Sequence, residues 1–144
     1  MTIEKITHHV IREHPEVVRE YAEECSNCGL TYDPQWGTYD RMEKLGMMQA
    51  FGVMDKGKMI GLSIVLNTVL PHYGVKCATV ESLFVGKKYE NTSAGGRLMI
   101  TVSRYAKLIE CVKIFYTAPV GGRLEKILAK RYPRTNAVFC QSIA

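Results

Sequence analysis

The sequence predicts an α/β protein of the α+β kind, one mixed and mostly antiparallel sheet flanked by helices. Three observations lead there. A helical period of apolar residues follows Pro15. Two apolar, β-rich runs flank the turn Asp55-Lys56-Gly57. Beyond Val85 a second helical period is followed by another β-rich run, and a strand–helix–strand succession joins neighbouring parallel strands.

In chain order, Ile3, Ile6, Val10 and Ile11 within Thr2–Arg12 suggest a short first strand. Pro15 suits a helix N1 position, where its missing N–H costs nothing. Val17, Val18, Tyr21, Ala22 and Cys25 then share one helical face, opposite mostly Glu16, Arg19, Glu20, Glu23 and Glu24, and Gly29 is the stop signal. Trp36-Gly37-Thr38-Tyr39 opens a second short helix over Arg41–Leu45. Gln49–Met54, Lys58–Leu70 and Lys76–Val85 read as an antiparallel meander, with Pro71-His72-Tyr73-Gly74 turning the second into the third. Ser93 stands where a helix cap belongs, before the face made by Leu98, Val102, Tyr105, Ala106 and Ile109. Val112–Thr117 reads as a strand, Leu124, Ile127 and Leu128 as a short helix after Gly121-Gly122, and Ala137–Ile143 as a last strand.

The 144 residues suit a single domain, 1–144, long enough to bury a core, and 47% hydrophobic with 23% charged residues excludes a disordered chain. The longest apolar run, Met59–Leu66, is interrupted by Gly61 and Ser63 and falls short of the roughly 20 residues a membrane span needs. The opening Met1-Thr2-Ile3-Glu4-Lys5 lacks the order of a signal peptide, so a cytoplasmic protein is expected. Five cysteines, Cys25, Cys28, Cys77, Cys111 and Cys140, make a poor disulfide framework and fit a reducing compartment. The net charge of +5 favours anionic partners, nucleic acid or a nucleotide cofactor alike.

The segment Val80–Val102 carries the chemistry. Asn91, Thr92, Ser93, Ala94, Gly95 and Gly96 have short or no side chains between a strand and a helix. Their backbone N–H groups can approach a ligand closely, and a helix N-terminus adds unpaired donors and partial positive charge, an arrangement suited to a pyrophosphate. Lys87, Lys88 and Arg97 flank it. The plain alternative is a loop that only caps a helix.

This stretch resembles the coenzyme A-binding segment of the GNAT-superfamily N-acetyltransferases. Their motif, Gln/Arg-x-x-Gly-x-Gly/Ala, begins five residues past a strand valine. From Val85 that count puts Glu90 at the Gln/Arg position, Ser93 at the first Gly and Gly95 at the Gly/Ala, followed by the aliphatic pair Leu98-Met99. Glu90 reverses the expected charge and Ser93 replaces a glycine. The resemblance follows the order of elements along nearly the whole chain. It implies an N-acetyltransferase that passes an acetyl group directly from acetyl-CoA to an amine acceptor, small molecule or protein, with no metal, and with Leu83, Phe84, Val85, Glu90, Asn91, Thr92, Ser93, Ala94, Gly95, Gly96 and Arg97 along the cofactor. A backbone N–H near Phe84 or Val85 would hold the oxyanion. Nucleic acid and membrane are not the expected partners, and a homodimer stays open.

Glu81 is the candidate general base, four residues before Val85, a spacing that resembles some polyamine-acetylating members. Strand alternation puts it on the side of Leu83 and Val85, where an apolar setting would raise its pKa; its plainer reading is a solvent-facing or salt-bridged glutamate. The tyrosine many relatives use as general acid is absent, since Ile127 and Leu128 stand near its place, leaving Tyr116 and Tyr132 as substitutes. Tyr32, His72 and Tyr73 are candidate acceptor contacts, while Trp36 is expected to pack and Tyr39 is open. Cys25-Ser26-Asn27-Cys28 lacks a second pair for zinc, His8-His9 with His14 reads as exposed and uncommitted, and Lys126, Lys130, Arg131 and Arg134 read as a solvated face. The competing function is a non-catalytic binding protein on the same fold, engaging a protein or nucleic acid.

Overall fold

The computed structural model describes residues 1–25 and 29–143. Five strands, β1 (Thr2–Ile6), β2 (Met48–Asp55), β3 (Lys58–Leu70), β4 (Val75–Val85) and β5 (Lys113–Tyr116), lie side by side in sequence order. The first four are antiparallel and β5 runs parallel to β4. The helices are α1 (His8–Arg12), α2 (Pro15–Glu24), α3 (Trp36–Lys44), α4 (Ala94–Leu108) and α5 (Arg123–Ala129). The predicted α+β mixed sheet with flanking helices is the observed one.

The β2–β3 turn follows from two residues. Lys56 and Gly57 both take positive φ, 49° and 78°, and Asp55 pairs with Lys58. Two left-handed central residues are what a two-residue hairpin of matching twist requires. Between β3 and β4 the strands approach so closely at Gly61 that a Cβ there would lie 2.7 Å from the Phe84 carbonyl oxygen, so only glycine fits.

Each face of the sheet buries its own core. α4 lays Leu98, Val102 and Ala106 on Phe51, Val53, Val65, Val80 and Leu83, with Leu124 and Leu128 of α5 at the margin. On the other face Ile11 and Val17 meet Ile6, Ala50, Leu62, Ile64 and Phe84, with Tyr21, Trp36 and Tyr39 alongside. α4 is thus the crossover between parallel β4 and β5.

Several expectations are corrected. The first strand stops at Ile6, and the rest of Thr2–Arg12 is Thr7 and α1, fixed where the His8 N–H donates to Glu43 Oε1 at 2.7 Å. α2 ends at Glu24, short of Gly29, with Cys25 in the cap position. The helix that Trp36-Gly37-Thr38-Tyr39 opens is α3, and it ends at Lys44 rather than Leu45. Ala137–Ile143 forms no strand: Val138 and Phe139 are 83% and 91% exposed. Adjacent apolar residues point to opposite sides of a strand, so no single face of that segment would be buried. Ile127 faces solvent rather than the core. No helix among the described residues is long and apolar enough to cross a membrane.

Leu98 is fully buried under α4. Replacing it with alanine should cost about 2–5 kcal/mol, seen as a lower denaturant midpoint with an unchanged slope.

Candidate active site

The site begins with an irregularity in β4. Val65 pairs with Val80 and Ile64 with Ser82, so Glu81 is an extra residue, a β-bulge. Val80 and Leu83 both pack under α4, whereas Phe84 joins the α1–α3 face. Glu81 consequently leaves the face of Leu83 and Val85, where alternation had put it, and opens with Ser82 into a cavity on the α2–α3 side.

Pairing of β4 with β5 ends at the same point. The parallel register runs from Cys77–Lys113 to Val80–Tyr116 and stops, while β4 continues to Val85. The strands separate from Glu81 onward, leaving the edge of Glu81–Val85 without a strand partner on the β5 side.

The cavity, about 430 Å³, is walled by α2, the segment 30–35, α3 and the sheet. Tyr21, Tyr32 and Tyr39 line it with Glu81. Tyr21 stands edge-on to Tyr32 (6.4 Å) and to Phe84 (5.7 Å). Glu81 is reached by solvent through the cavity, yet partial burial raises its carboxyl pKa above the ordinary carboxylate value. Burial raises all three phenols, with the Glu81 charge adding to each, and Tyr32 is pushed up to about 12. They stay neutral at physiological pH. Burial likewise pushes the Cys25 thiol, also on the wall, up to about 11, which keeps it protonated and unreactive. Cys28, the other half of that motif, lies outside the described residues.

At the far end of β4 the chain passes Gly86, makes a 3₁₀ turn at Lys87–Tyr89 and enters α4. Ser93 holds the cap position, but its hydroxyl caps nothing; Thr92 Oγ1 instead accepts the Ala94 N–H at 3.3 Å. Among the described residues the N–H groups of Ser93, Gly95 and Gly96 have no acceptor. They are the free donors a helix start presents. Arg97 turns aside, donating to the Met1 carbonyl at 3.1 Å.

The sequence reading missed Arg123. At the start of α5 it grips Glu24 with two hydrogen bonds, 2.6 and 2.8 Å, reaches Glu90 at 3.3 Å and donates to the Val85 carbonyl at 2.9 Å. Glu90 therefore shares the one positive charge of Arg123 with the more closely held Glu24, and Glu20 accepts the Lys87 N–H at 2.8 Å nearby. The only sequence signal was an arginine following Gly121-Gly122 at a helix start.

The remaining candidates divide. Tyr32 lines the cavity; His72 and Tyr73 lie at the tip of the β3–β4 hairpin, outside it. Tyr116 and Tyr132 stack at 5.5 Å on the α4 side, away from the cavity that Glu81 enters. The Tyr116 hydroxyl is buried facing Ser103 and Tyr132, with neither in good hydrogen-bond geometry, and burial pushes it up to about 12. His8 is buried rather than exposed, its Nδ1 2.8 Å from Glu43 Oε2. With His9 and Asp40 it brings three potential metal ligands within 4.8 Å, although Asp40 is already paired with Lys44 at 2.7 Å.

No protein-family model matches the chain, and no curated protein matches it. Solved structures do. An aminoglycoside acetyltransferase from an uncultured soil metagenomic sample, in complex with sisomicin, superposes with a TM-score of 0.78 at 12% identity, covering 99% of this chain and 96% of that one. A ribosomal-protein-alanine N-acetyltransferase from Brucella melitensis biovar Abortus 2308 gives 0.73 at 14%, covering 100% and 99%. A transcriptional regulator from Bacillus halodurans C-125 gives 0.74 at 16%, covering 99% of each. The chain has the fold of the GNAT acetyltransferases.

The raised Glu81 pKa fixes a sign. An acid whose pKa is higher folded than unfolded favours the fold at low pH, and that contribution disappears as pH rises through the folded value. Glu81→Gln, which cannot ionise, should therefore gain stability relative to the parent protein as pH rises from acid to neutral. Denaturation curves at a series of pH values check this; parallel curves for the two proteins would remove the desolvated carboxylate.

Proposed function

We propose that the protein is an N-acetyltransferase that moves an acetyl group from acetyl-CoA to an amine, residues 1–144 acting as one catalytic domain. One observation carries this reading. The edge of β4 freed beyond Val80 runs from the Glu81 cavity to the uncapped N-terminus of α4. A thin, two-ended cofactor fits such a path, its pyrophosphate on the N–H groups of Ser93, Gly95 and Gly96 and its thioester beside Glu81. The backbone N–H of Val85, on the same side as the Val85 carbonyl that Arg123 reaches, would hold the oxyanion, whereas that of Phe84 faces Leu62 of β3.

The chemistry balances as follows. The amine arrives as an ammonium ion and gives one proton to Glu81. Its nitrogen lone pair attacks the thioester carbonyl, forming the C–N bond, and collapse of the tetrahedral intermediate breaks the C–S bond. The second nitrogen proton ends on the departing sulfur, and Glu81 returns its proton to water. Products are the acetamide, free CoA thiol and one proton. A raised Glu81 pKa narrows the gap to the ammonium ion and makes the first transfer easier.

Tyr116 is the last paired residue of β5, at the edge of the gap, with an unpaired buried hydroxyl. A phenol pushed up to about 12 is too weak an acid to surrender its proton to a thiolate of ordinary pKa, about 8.5. Its role is to donate a hydrogen bond to the departing sulfur, with Tyr132 stacked behind it. Tyr116→Phe should change stability little, since the buried hydroxyl makes no well-formed hydrogen bond to Ser103 or Tyr132, while lowering turnover about tenfold, the effect of one charge-assisted hydrogen bond. Loss of stability with full turnover would reverse the assignment. Glu81→Gln should lower turnover about a hundredfold or more with little change in acetyl-CoA affinity.

Acetyl-CoA at millimolar concentration should raise the unfolding temperature, by about 2.7 kcal/mol of stabilisation if it exceeds its Kd a hundredfold. A Cβ at Gly96 would meet nothing within 4 Å. Gly96→Ala should therefore keep or raise intrinsic stability, by up to about 1 kcal/mol, yet shrink the shift that acetyl-CoA produces.

A second reading, a non-catalytic binding protein on this fold, draws on Glu20, Glu24 and Glu90 clustered near the loop where phosphates would sit. Salt-sensitive retention on nucleic acid with no response to acetyl-CoA would favour it.

A further inference from the structure

We propose that the acceptor is a primary monoamine with an apolar alkyl or aralkyl body, held as its ammonium ion by Glu81 within the ring of Tyr21, Tyr32 and Tyr39. The identification of this ligand as an acceptor rests on the acyl-transfer reading; its recognition is a binding event that requires no acetyl-CoA.

Charge gives the first argument. The chain carries a net +5, yet the cavity wall holds two carboxylates, Glu81 and Asp33, and no lysine, arginine or histidine among the described residues. A cation is favoured there, and the carboxylate of an α-amino acid would have no counter-ion. The aromatic ring gives the second. Three neutral phenols on the same cavity wall as the Glu81 carboxylate offer π faces and hydroxyl oxygens to an ammonium group.

The walls give the third. Ile11, Val18, Met42, Leu62, Ile64 and Leu66 make most of the remaining surface apolar. A hydrocarbon body gains by entering it, at about 0.8 kcal/mol per buried methylene. A polyamine or an aminoglycoside would bring further ammonium groups, and Asp33 is the one carboxylate left to meet them; Thr31, Gln35, Thr38 and Ser82 are few partners for the many hydroxyls of a sugar on a wall that is mostly hydrocarbon. The volume of about 430 Å³ lies in the lower part of the usual small-molecule range, roughly 300–1,000 Å³. It suits a phenyl-sized or hexyl-sized body better than a trisaccharide.

The test compares matched probes without acetyl-CoA, by calorimetry and thermal shift. 2-Phenylethylamine and hexylamine should bind at least about tenfold more tightly than phenylalanine, spermidine or sisomicin, the difference one charge-assisted contact makes. Glu81→Gln should weaken 2-phenylethylamine about tenfold and leave the neutral 2-phenylethanol unaffected. The comparison of 2-phenylethylamine with phenylalanine in the unaltered protein stands even if the variant fails to fold. Equal or tighter binding of phenylalanine, spermidine or sisomicin overturns the proposal, as does failure of both monoamines to bind at millimolar concentration. If the monoamines bind while acetyl-CoA is neither bound nor consumed, the ligand class is supported and acyl transfer is what falls. If acetyl-CoA is consumed preferentially with spermidine or phenylalanine, acyl transfer stands and the monoamine is excluded.

Discussion

The extra residue that β4 accommodates at Glu81 decides what both faces of the sheet can do. In a regular strand, Val80, Ser82 and Phe84 would share one face, with Glu81, Leu83 and Val85 on the other. The bulge breaks that order. Val80 and Leu83 both stay in the α4 core, while Glu81, Ser82 and Phe84 turn toward α2 and α3. A charged side chain thereby leaves the packed core for a cavity it shares with tyrosines, and pairing with β5 stops one residue earlier, at Val80. Burial, pKa and the open strand edge all follow from that single insertion.

Charge is distributed in keeping with it. At the cavity, the partly buried Glu81 carboxylate shares the wall with Asp33, neutral phenols and apolar side chains, so a cation is the natural complement. At the start of α4, three carboxylates lie near the free N–H groups, but Arg123 binds two of them, Glu24 and Glu90, and the third, Glu20, is occupied by the Lys87 N–H. The charge reversal at Glu90 is thus offset in part, one guanidinium serving two carboxylates. The same arginine anchors α5 to the end of β4 through the Val85 carbonyl, tying the loop, α2 and α5 into one unit.

The sheet was legible in the sequence because its strongest signals are local. Asp55-Lys56-Gly57 specifies a tight hairpin, Pro15 starts α2, and the period of Leu98, Val102 and Ala106 specifies α4. The candidate base could be named from spacing, but its face could not, because a period-two rule fails across a bulge and a bulge leaves no composition mark. Tyr21 read as an ordinary core position of α2, since helical periodicity does not distinguish a core from a cavity wall. Arg123 acquires its meaning from Glu24, ninety-nine residues away in the chain. The tail at Ala137–Ile143 has β-like composition without the one-sided pattern that would give it a sheet to join.

The free edge of β4 is the path that would join the cavity to the start of α4. Titrating CoA into isotopically labelled protein and following backbone amide signals tests that path directly. The amides of Phe84, Val85, Ser93, Gly95 and Gly96 should shift together and saturate with one affinity, while those of the β3–β4 hairpin tip stay still. Unmoved signals at Phe84 and Val85, or changes confined to other surfaces, would contradict it.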